Sequence, residues 1–305
     1  MKTLLVITGP TGVGKTELCL TIAKHLHSPI INADSRQIFA ELPIGTCAPT
    51  AEQQAVVKHY FVGNHHLHDY YSAAKFEQDA LLLLTKLFDG SEDGTAHNTI
   101  IMSGGSMMYI DAVCKGIDDI PTVDDNTRQM MKQRLANEGL EALVNELKHL
   151  DAEHWKIVDR NNPRRVVHAL EICHMTGKPY SSFRTNSIKQ RHFNIIKIGL
   201  NRPSDILYER INQRVLTMMD EGLENEARNV YPLRHLNSLN TVGYKELFAY
   251  FDELIPLNEA VRQIQSNTRQ YMRKQLTWFK KDENMAWFNP DNIEYILKYI
   301  YNNPV

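Results

Sequence analysis

Apolar residues along this chain keep two different rhythms, and the places where the rhythm changes mark out its parts. Leu4 to Thr8 is a short unbroken apolar run, Glu17 to His25 repeats at helical spacing, and Pro29-Ile30-Ile31-Asn32-Ala33 is a second short run. Bounded runs of this length predict buried strands, so the chain opens as strand, loop, helix, strand. Lys75 to Phe88 is again helical, a polar loop covers Asp89 to Asn98, and Thr99-Ile100-Ile101-Met102 predicts a third strand that ends at Ser103-Gly104-Gly105. In an open α/β sheet the ligand crevice lies beyond the carboxyl ends of the strands. Three such ends are marked here: Gly9 to Thr16, Asp34-Ser35-Arg36-Gln37, and Gly104-Gly105-Ser106.

After Pro121 the pattern is wholly helical. Asp124 to Leu150 predicts one helix, and a second opens at Asn162-Pro163 and stops at Gly177 with Pro179, the residue types that start and end helices. Phe193 to Leu200 is β-branched and bounded, and predicts a strand that returns to the sheet. Beyond Pro203, helices are predicted over Asp205 to Val230, Gly243 to Tyr250, Asn258 to Lys281 and Ile293 to Tyr301. The simplest architecture is an α/β fold with a P-loop NTPase-like parallel sheet core and an inserted all-helical domain. The core takes residues 1–120 and 192–305, the latter with one returning strand and then helices, and the insertion takes 121–191.

Composition narrows the setting. Among 305 residues, 43% are hydrophobic and 23% charged, an ordinary balance for a water-soluble protein, and no apolar run reaches membrane-spanning length. The first apolar run passes into Thr8-Gly9 rather than a cleavage site, which predicts no export signal. Cys19, Cys47, Cys114 and Cys173 lie far apart without a C-x-x-C pair, predicting reduced, buried thiols in a cytoplasmic protein rather than a zinc site. The net charge of −2 does not announce a nucleic-acid partner, but its distribution is uneven. Arg160, Arg164, Arg165, Lys178, Arg184, Lys189 and Arg191 face a single acid, Glu171, and Arg269, Arg273, Lys274, Lys280 and Lys281 face none. Such stretches either track a polyanion or are solvated helix faces.

The strongest chemical signal is Gly9-Pro10-Thr11-Gly12-Val13-Gly14-Lys15-Thr16. Between a strand and a helix, these glycines let successive N–H groups face a phosphate. The helix dipole favours the anion, Lys15 adds a mobile charge and the Thr16 hydroxyl can ligate Mg²⁺. The loop alone does not say what happens to the phosphate. Nucleotide hydrolases and many kinases place an Asp for Mg²⁺ at another strand end, yet the third strand here runs into Ser103-Gly104-Gly105-Ser106 with no acid. Asp34 ends the second strand instead, where it can act as a general base or hold a metal-bound water, while Asp34-Ser35 can equally be a helix N-cap.

In this order the residues resemble the tRNA dimethylallyltransferase (isopentenylpyrophosphate transferase) family. The resemblance covers nearly the whole chain. Besides the loop and Asn32-Ala33-Asp34-Ser35-Arg36-Gln37, it is carried by Ile44-Gly45-Thr46, Gly104 to Tyr109, Pro121 with Arg128, and Asn162-Pro163-Arg164-Arg165. It continues through Thr176-Gly177-Lys178-Pro179, Tyr208 to Val215, Gly222-Leu223, Val242 to Glu246, Thr268-Arg269-Gln270 and Arg273 to Trp278. The resemblance implies transfer of a dimethylallyl group from its diphosphate to the exocyclic amine of the adenine 3′ to the anticodon of tRNA. It implies Asp34 as base, Ser106 and Lys15 as further catalytic groups, and Gly9 to Thr16 with Arg214 around the diphosphate, with Mg²⁺ near Thr16. A target base must be flipped out to be reached. The tRNA anticodon stem-loop would then meet Asp34, Ser35, Arg36, Gln37, Ser106, Arg128, Arg164, Arg165, Val166, Val167, His168, Thr241, Val242, Gly243, Tyr244 and Lys245. The resemblance also implies a monomer.

Three positions depart from the family pattern: Phe39 stands where Tyr is usual, Ala48 where Lys is common, and Ser106 where Thr is usual. The histidines of His59 to Tyr71 are spaced too loosely for a metal site and read as a variable loop over the crevice. Met107, Met108 and Trp278 read as core or crevice lining. Competing readings are prenylation of free adenosine phosphates, a P-loop kinase of a small metabolite, and an RNA-binding protein without activity.

Overall fold

The structure is a computed structural model that describes residues 2–185 and 187–303. Its elements in chain order are β1 (Thr3–Thr8), α1 (Lys15–Leu26), β2 (Ile30–Asn32), α2 (Pro43–Thr46), α3 (Ala51–Val56), β3 (His59–Tyr60), α4 (Ala73–Asp89), β4 (Thr99–Gly104) and α5 (Met107–Lys115). They continue with α6 (Asp125–Leu150), α7 (Ala152–Ile157), α8 (Pro163–Thr176), β5 (Asn194–Leu200), α9 (Ser204–Asp220) and α10 (Leu223–Val230). The last are α11 (Tyr244–Phe251), α12 (Leu257–Phe279), β6 (Met285–Phe288) and α13 (Ile293–Asn302). The chain divides into two compact units, Met1–Cys114 with Gln190–Val305, and Lys115–Lys189.

The first unit is built on a six-stranded sheet of order β3-β2-β4-β1-β5-β6 in which every pairing is parallel. Strand β1 lies between β4 and β5, and all six of its residues are buried. A parallel strand covered on both faces reads as an unbroken apolar run, which is why Leu4 to Ile7 carries no alternation. The alternation is geometric instead. Leu4 and Val6 join Phe76, Leu84 and Val113 of α4 and α5 on one face. On the other, Leu5 and Ile7 join Leu18 and Ile22 of α1, Leu207 and Ile211 of α9, and Ile296 and Ile300 of α13. A third apolar cluster in this unit joins Ile38, Phe39 and Leu42 to α9, α10, α11 and α12.

The strand ends beside the crevice approach closely. Ala33 N donates to Ser103 O at 2.7 Å, and Ser106 N donates to Ala33 O at 3.2 Å. A Cβ on Gly104 would stand 2.1 Å from that Ala33 oxygen, so only glycine lets β2 and β4 end side by side.

The second unit has its own apolar centre, with Met131, Leu143, Leu147, Val158, Val166, Ala169 and Leu170 buried together. Asn162 caps α8 by accepting from Arg165 N, and Gly177 ends it in the left-handed region at φ 67°. The predicted Asp124 to Leu150 helix differs in one respect: the chain leaves helical geometry at Gly139 (φ 80°, ψ 168°).

Three further expectations need correction. Residues 192–305 hold two strands, because Met285–Phe288 adds β6 to the edge beside β5; four residues between helices are too few to show a period. His59 lies in edge strand β3 rather than in a loop. The predicted helix from Asp205 to Val230 is two helices, broken at Gly222 (φ 100°). Among the described residues no helix is long and apolar enough to cross a membrane. Cys19, Cys114 and Cys173 are buried free thiols, and Cys47 is half-buried.

Replacing Gly104 by Ala is expected to destabilise the protein by about 2 kcal/mol or more, since the added methyl meets backbone rather than a movable side chain. Denaturant unfolding with an unchanged slope is the measurement. A midpoint unchanged within error would refute the close-approach argument.

Candidate active site

The loop after β1 turns from strand to helix in six residues, and Gly14 enters α1 at φ 102°, a conformation in which a Cβ is strained. Curling the loop so that its N–H groups face outward leaves its carbonyls to be satisfied elsewhere. Lys15 Nζ donates to Gly9 O and Pro10 O, each at 2.9 Å. Arg210 Nε donates to Gly12 O at 2.8 Å, and Arg202 Nε to Val13 O at 3.0 Å. Arg214 Nη1 reaches Thr11 Oγ1 at 3.2 Å, and Thr11 N donates to Gln275 Oε1 at 2.9 Å. Thr16 lies exposed in the first turn of α1.

Lys15 is the titrating group here. Burial first, and then repulsion from Arg214, lower its pKa to about 8, although the Asp34 carboxylate works in the opposite direction. The ammonium is therefore present at neutral pH and is lost as pH rises through about 8.

Asp34 follows β2 directly. Its Oδ1 accepts from Arg36 N at 2.9 Å and Gln37 N at 3.4 Å, capping the turn that follows. Its Oδ2 accepts no hydrogen bond among the described residues and lies 3.6 Å from the position of a Cβ on Gly105. The helix N-cap reading needs correction, because a turn and not a helix follows Asp34; one carboxylate oxygen serves that turn and the other makes no hydrogen bond among the described residues.

Ser106 closes the same group from β4: its Oγ accepts from Ser35 N at 2.8 Å and donates to Ser35 Oγ at 3.0 Å. Gln275 Nε2 donates to Gly105 O at 2.9 Å, so one buried amide ties the anion loop to the turn that carries Ser106. Gln37 Nε2 is held by Thr46 O and Cys47 O at 2.9 and 3.1 Å.

The structure therefore gathers Gly9 to Thr16, Asp34 to Gln37, Ser106 and Arg214 at the carboxyl ends of β1, β2 and β4. Sequence reasoning missed the supports of this group. Gln275 lies within Arg273 to Trp278 and Arg210 within Tyr208 to Val215, both stretches that carry the family resemblance, but no role attached to either, and Arg202 lies outside every such stretch; the partners of Arg202 and Arg210 are 189 and 198 residues away.

Other predicted positions need correction. The Tyr244 side chain is fully buried, with its hydroxyl donating to Glu226 Oε1 at 2.6 Å, so it offers no side-chain surface to an RNA. Gly243 is buried too, its N–H donating to Glu246 Oε2 at 2.8 Å, while Thr241 and Val242 are half-buried and Lys245 is exposed. In the helical unit Val166 is fully buried and Val167 packs against the same apolar cluster; Arg164, Arg165 and His168 are exposed on α8, and Arg128 is half-buried on α6.

Both basic stretches include inward-facing members. Arg191 pairs with Glu77 at 2.6 Å where both side chains are buried, and Arg269 bonds to Asn212. Met108 and Trp278 are exposed rather than core, with Trp278 Nε1 donating to Asp111 at 2.8 Å. His65 pairs with Asp69 and His66 with Glu41, and no group of three or more potential ligands stands ready for a metal among the described residues.

These features define a parallel α/β protein with a glycine-rich turn after β1 and a carboxylate after β2. The IPP transferase family model matches residues 37–282, and the chain belongs to that family. It is 59% identical over 300 residues to a tRNA dimethylallyltransferase 1 of Phocaeicola vulgatus, covering 98% of each chain. It is 57% identical to a tRNA dimethylallyltransferase 1 of Bacteroides thetaiotaomicron, covering 98% of this chain and 96% of the other. Among solved structures, a tRNA isopentenylpyrophosphate transferase of Bacillus halodurans superposes with a TM-score of 0.71 at 32% identity, covering 99% and 96% of the two chains. A eukaryotic dimethylallyltransferase acting on tRNA shares the fold, with a TM-score of 0.77 at 21% identity over 96% of this chain and 75% of that one.

The Lys15 titration makes a prediction for anion binding. Below about pH 7 the ammonium is already present, so its contribution to the affinity for inorganic pyrophosphate should be constant. Above about pH 8 that contribution should fall roughly tenfold per unit, because a proton must first be taken up. The checking measurement is the ratio of calorimetric affinities of the parent and Lys15→Gln across pH 6.5 to 9.5 (roughly, bracketing the shifted value), which cancels the ligand's own titration. A flat ratio would contradict it.

Proposed function

We propose that this protein transfers a dimethylallyl group from dimethylallyl diphosphate to the exocyclic amine of the adenine 3′ to the anticodon of tRNA, leaving N6-isopentenyladenosine and diphosphate. Family membership and the names of relatives over half identical along nearly the whole chain support tRNA prenylation. The observation that carries the mechanism is the arrangement of Asp34: an oxygen with no hydrogen bond faces the same crevice as a loop built for a diphosphate. We read the core as a P-loop type sheet in which the helical unit Lys115–Lys189 is an insertion.

In this reading the exocyclic amine, a weak nucleophile, attacks the allylic carbon while Asp34 Oδ2 takes its proton. The allylic C–O bond breaks with its electron pair moving onto the diphosphate. The amides of Gly9 to Thr16, Lys15 and Arg214 stabilise that growing charge. To receive a diphosphate, Lys15 exchanges its contacts with Gly9 O and Pro10 O for phosphate oxygens. Ser106, at the head of the β4 turn, holds Ser35 beside the base and presents a hydroxyl to the reacting atoms. Arg36 and Gln37 would meet the flipped adenine and its neighbours, and Arg128, Arg164, Arg165, His168, Thr241 and Lys245 the surrounding RNA.

Mg²⁺ suits the donors present. One exposed hydroxyl, Thr16, and no ready cage of acids match a cation that keeps its waters and takes substrate phosphate oxygens. Bound there, it would neutralise charge on the leaving diphosphate.

With dimethylallyl diphosphate, Mg²⁺ and undermodified tRNA, the expected product is a prenylated adenosine detected by nucleoside mass analysis; its absence with both substrates bound would sink the reading. Asp34→Asn should lower kcat by about 100-fold or more while pyrophosphate affinity changes by no more than about threefold. A comparable loss in both would mean that Asp34 serves binding instead.

A further inference from the structure

Glu226 is a buried carboxylate on α10 that no step of the proposed reaction uses. Three donors converge on it. Ile44 N and Gly45 N donate to its two oxygens at 2.7 Å each, and the Tyr244 hydroxyl donates to Oε1 at 2.6 Å. The segment fixed in this way is Pro43 to Cys47, and it is packed without slack: a Cβ on Gly45 would stand 2.4 Å from the Tyr244 oxygen.

The far end of that segment serves two site residues at once. Thr46 O and Cys47 O hold the Gln37 amide, and Cys47 Sγ accepts from Arg214 Nε at 2.7 Å while Thr46 O takes Arg214 Nη2 at 3.5 Å. Arg214 in turn touches the anion loop at Thr11. A single carboxylate thus sets the height of a short segment from which both an anion-facing guanidinium and a base-facing amide are hung.

We propose that Glu226 is the positioning residue of this enzyme, aligning Arg214 with the diphosphate and Gln37 with the acceptor base through residues 43–47. The proposal rests on the prenyl-transfer reading above for its substrates. Without the second carboxylate oxygen, one of two adjacent half-buried N–H groups loses its acceptor, and the segment must move to find another. Arg214 and Gln37 move with it. Tyr244, whose side chain cannot reach an RNA, takes its place in the same support, which explains its burial beside exposed Lys245.

The test is a double-mutant cycle between Glu226→Gln and Arg214→Ala, run well below the unfolding temperature of every variant. It reads calorimetric affinity for inorganic pyrophosphate with Mg²⁺, together with kcat and the KM for tRNA. In the parent background Glu226→Gln should weaken pyrophosphate about tenfold and raise the KM for tRNA. In the Arg214→Ala background the same change should cost less than about twofold, because the arginine through which Glu226 acts is gone. Tyr244→Phe, which removes one hydroxyl and keeps the ring packed, should weaken pyrophosphate by about threefold and serves if Glu226→Gln does not fold.

Equal losses in both backgrounds would overturn the proposal, as would a lowered melting temperature with affinities and kcat unchanged. A parent that makes no prenylated tRNA refutes the proposed reaction. An active parent whose Glu226→Gln and Tyr244→Phe forms behave like it refutes the positioning role alone.

Discussion

A loop that aims its N–H groups at one point turns its carbonyls the other way, and a half-buried carbonyl without a donor is costly. Much of the first unit answers that demand. Lys15 serves Gly9 O and Pro10 O, Arg210 and Arg202 serve Gly12 O and Val13 O, and Gln275 accepts from Thr11 N. Besides Lys15 on α1, these partners stand on α9, on its leading loop and on α12, helices that also bury Leu207, Ile211 and Met272 in the same apolar cluster. The apolar face of each helix sets where its polar supports arrive. The same helices therefore pack the sheet and brace the glycine-rich loop.

The same constraint shapes the electrostatics. Burial of the Lys15 ammonium, and then repulsion from the Arg214 guanidinium, bring its pKa down to about 8. Asp34 offsets part of that repulsion from across the crevice.

How much of this could be read from sequence depended on range. Strand ends and helix caps are local: Asn162 with Gly177, the glycines of the anion loop, and the acid after β2 all sit where their residue types placed them. Edge strands β3 and β6 escaped notice because two and four residues do not establish a period. Tyr244 and Val166 lie in stretches that resemble RNA-contacting segments, yet successive side chains of a helix are turned by roughly 100° from one another, so Tyr244 and Val166 point inward while Lys245 and Arg165 beside them are exposed. The arginine supports were invisible for a different reason. Their partners are backbone atoms of remote residues, and no local pattern records a main-chain acceptor almost 200 positions away.

Those separations bear on how the molecule comes into being. Strand β1 is made first, but its neighbour β4 begins at Thr99 and its neighbour β5 at Asn194, and Gln275 follows later still. A chain emerging from a ribosome thus exposes its most apolar strand long before either flank exists, and closing such wide loops is slow. The loop of Gly9 to Gly14 is translated long before Arg202, Arg210 and Gln275, the residues that hold its shape. Nascent chains stalled before α12 carry the complete motif in letters while lacking the cup it spells.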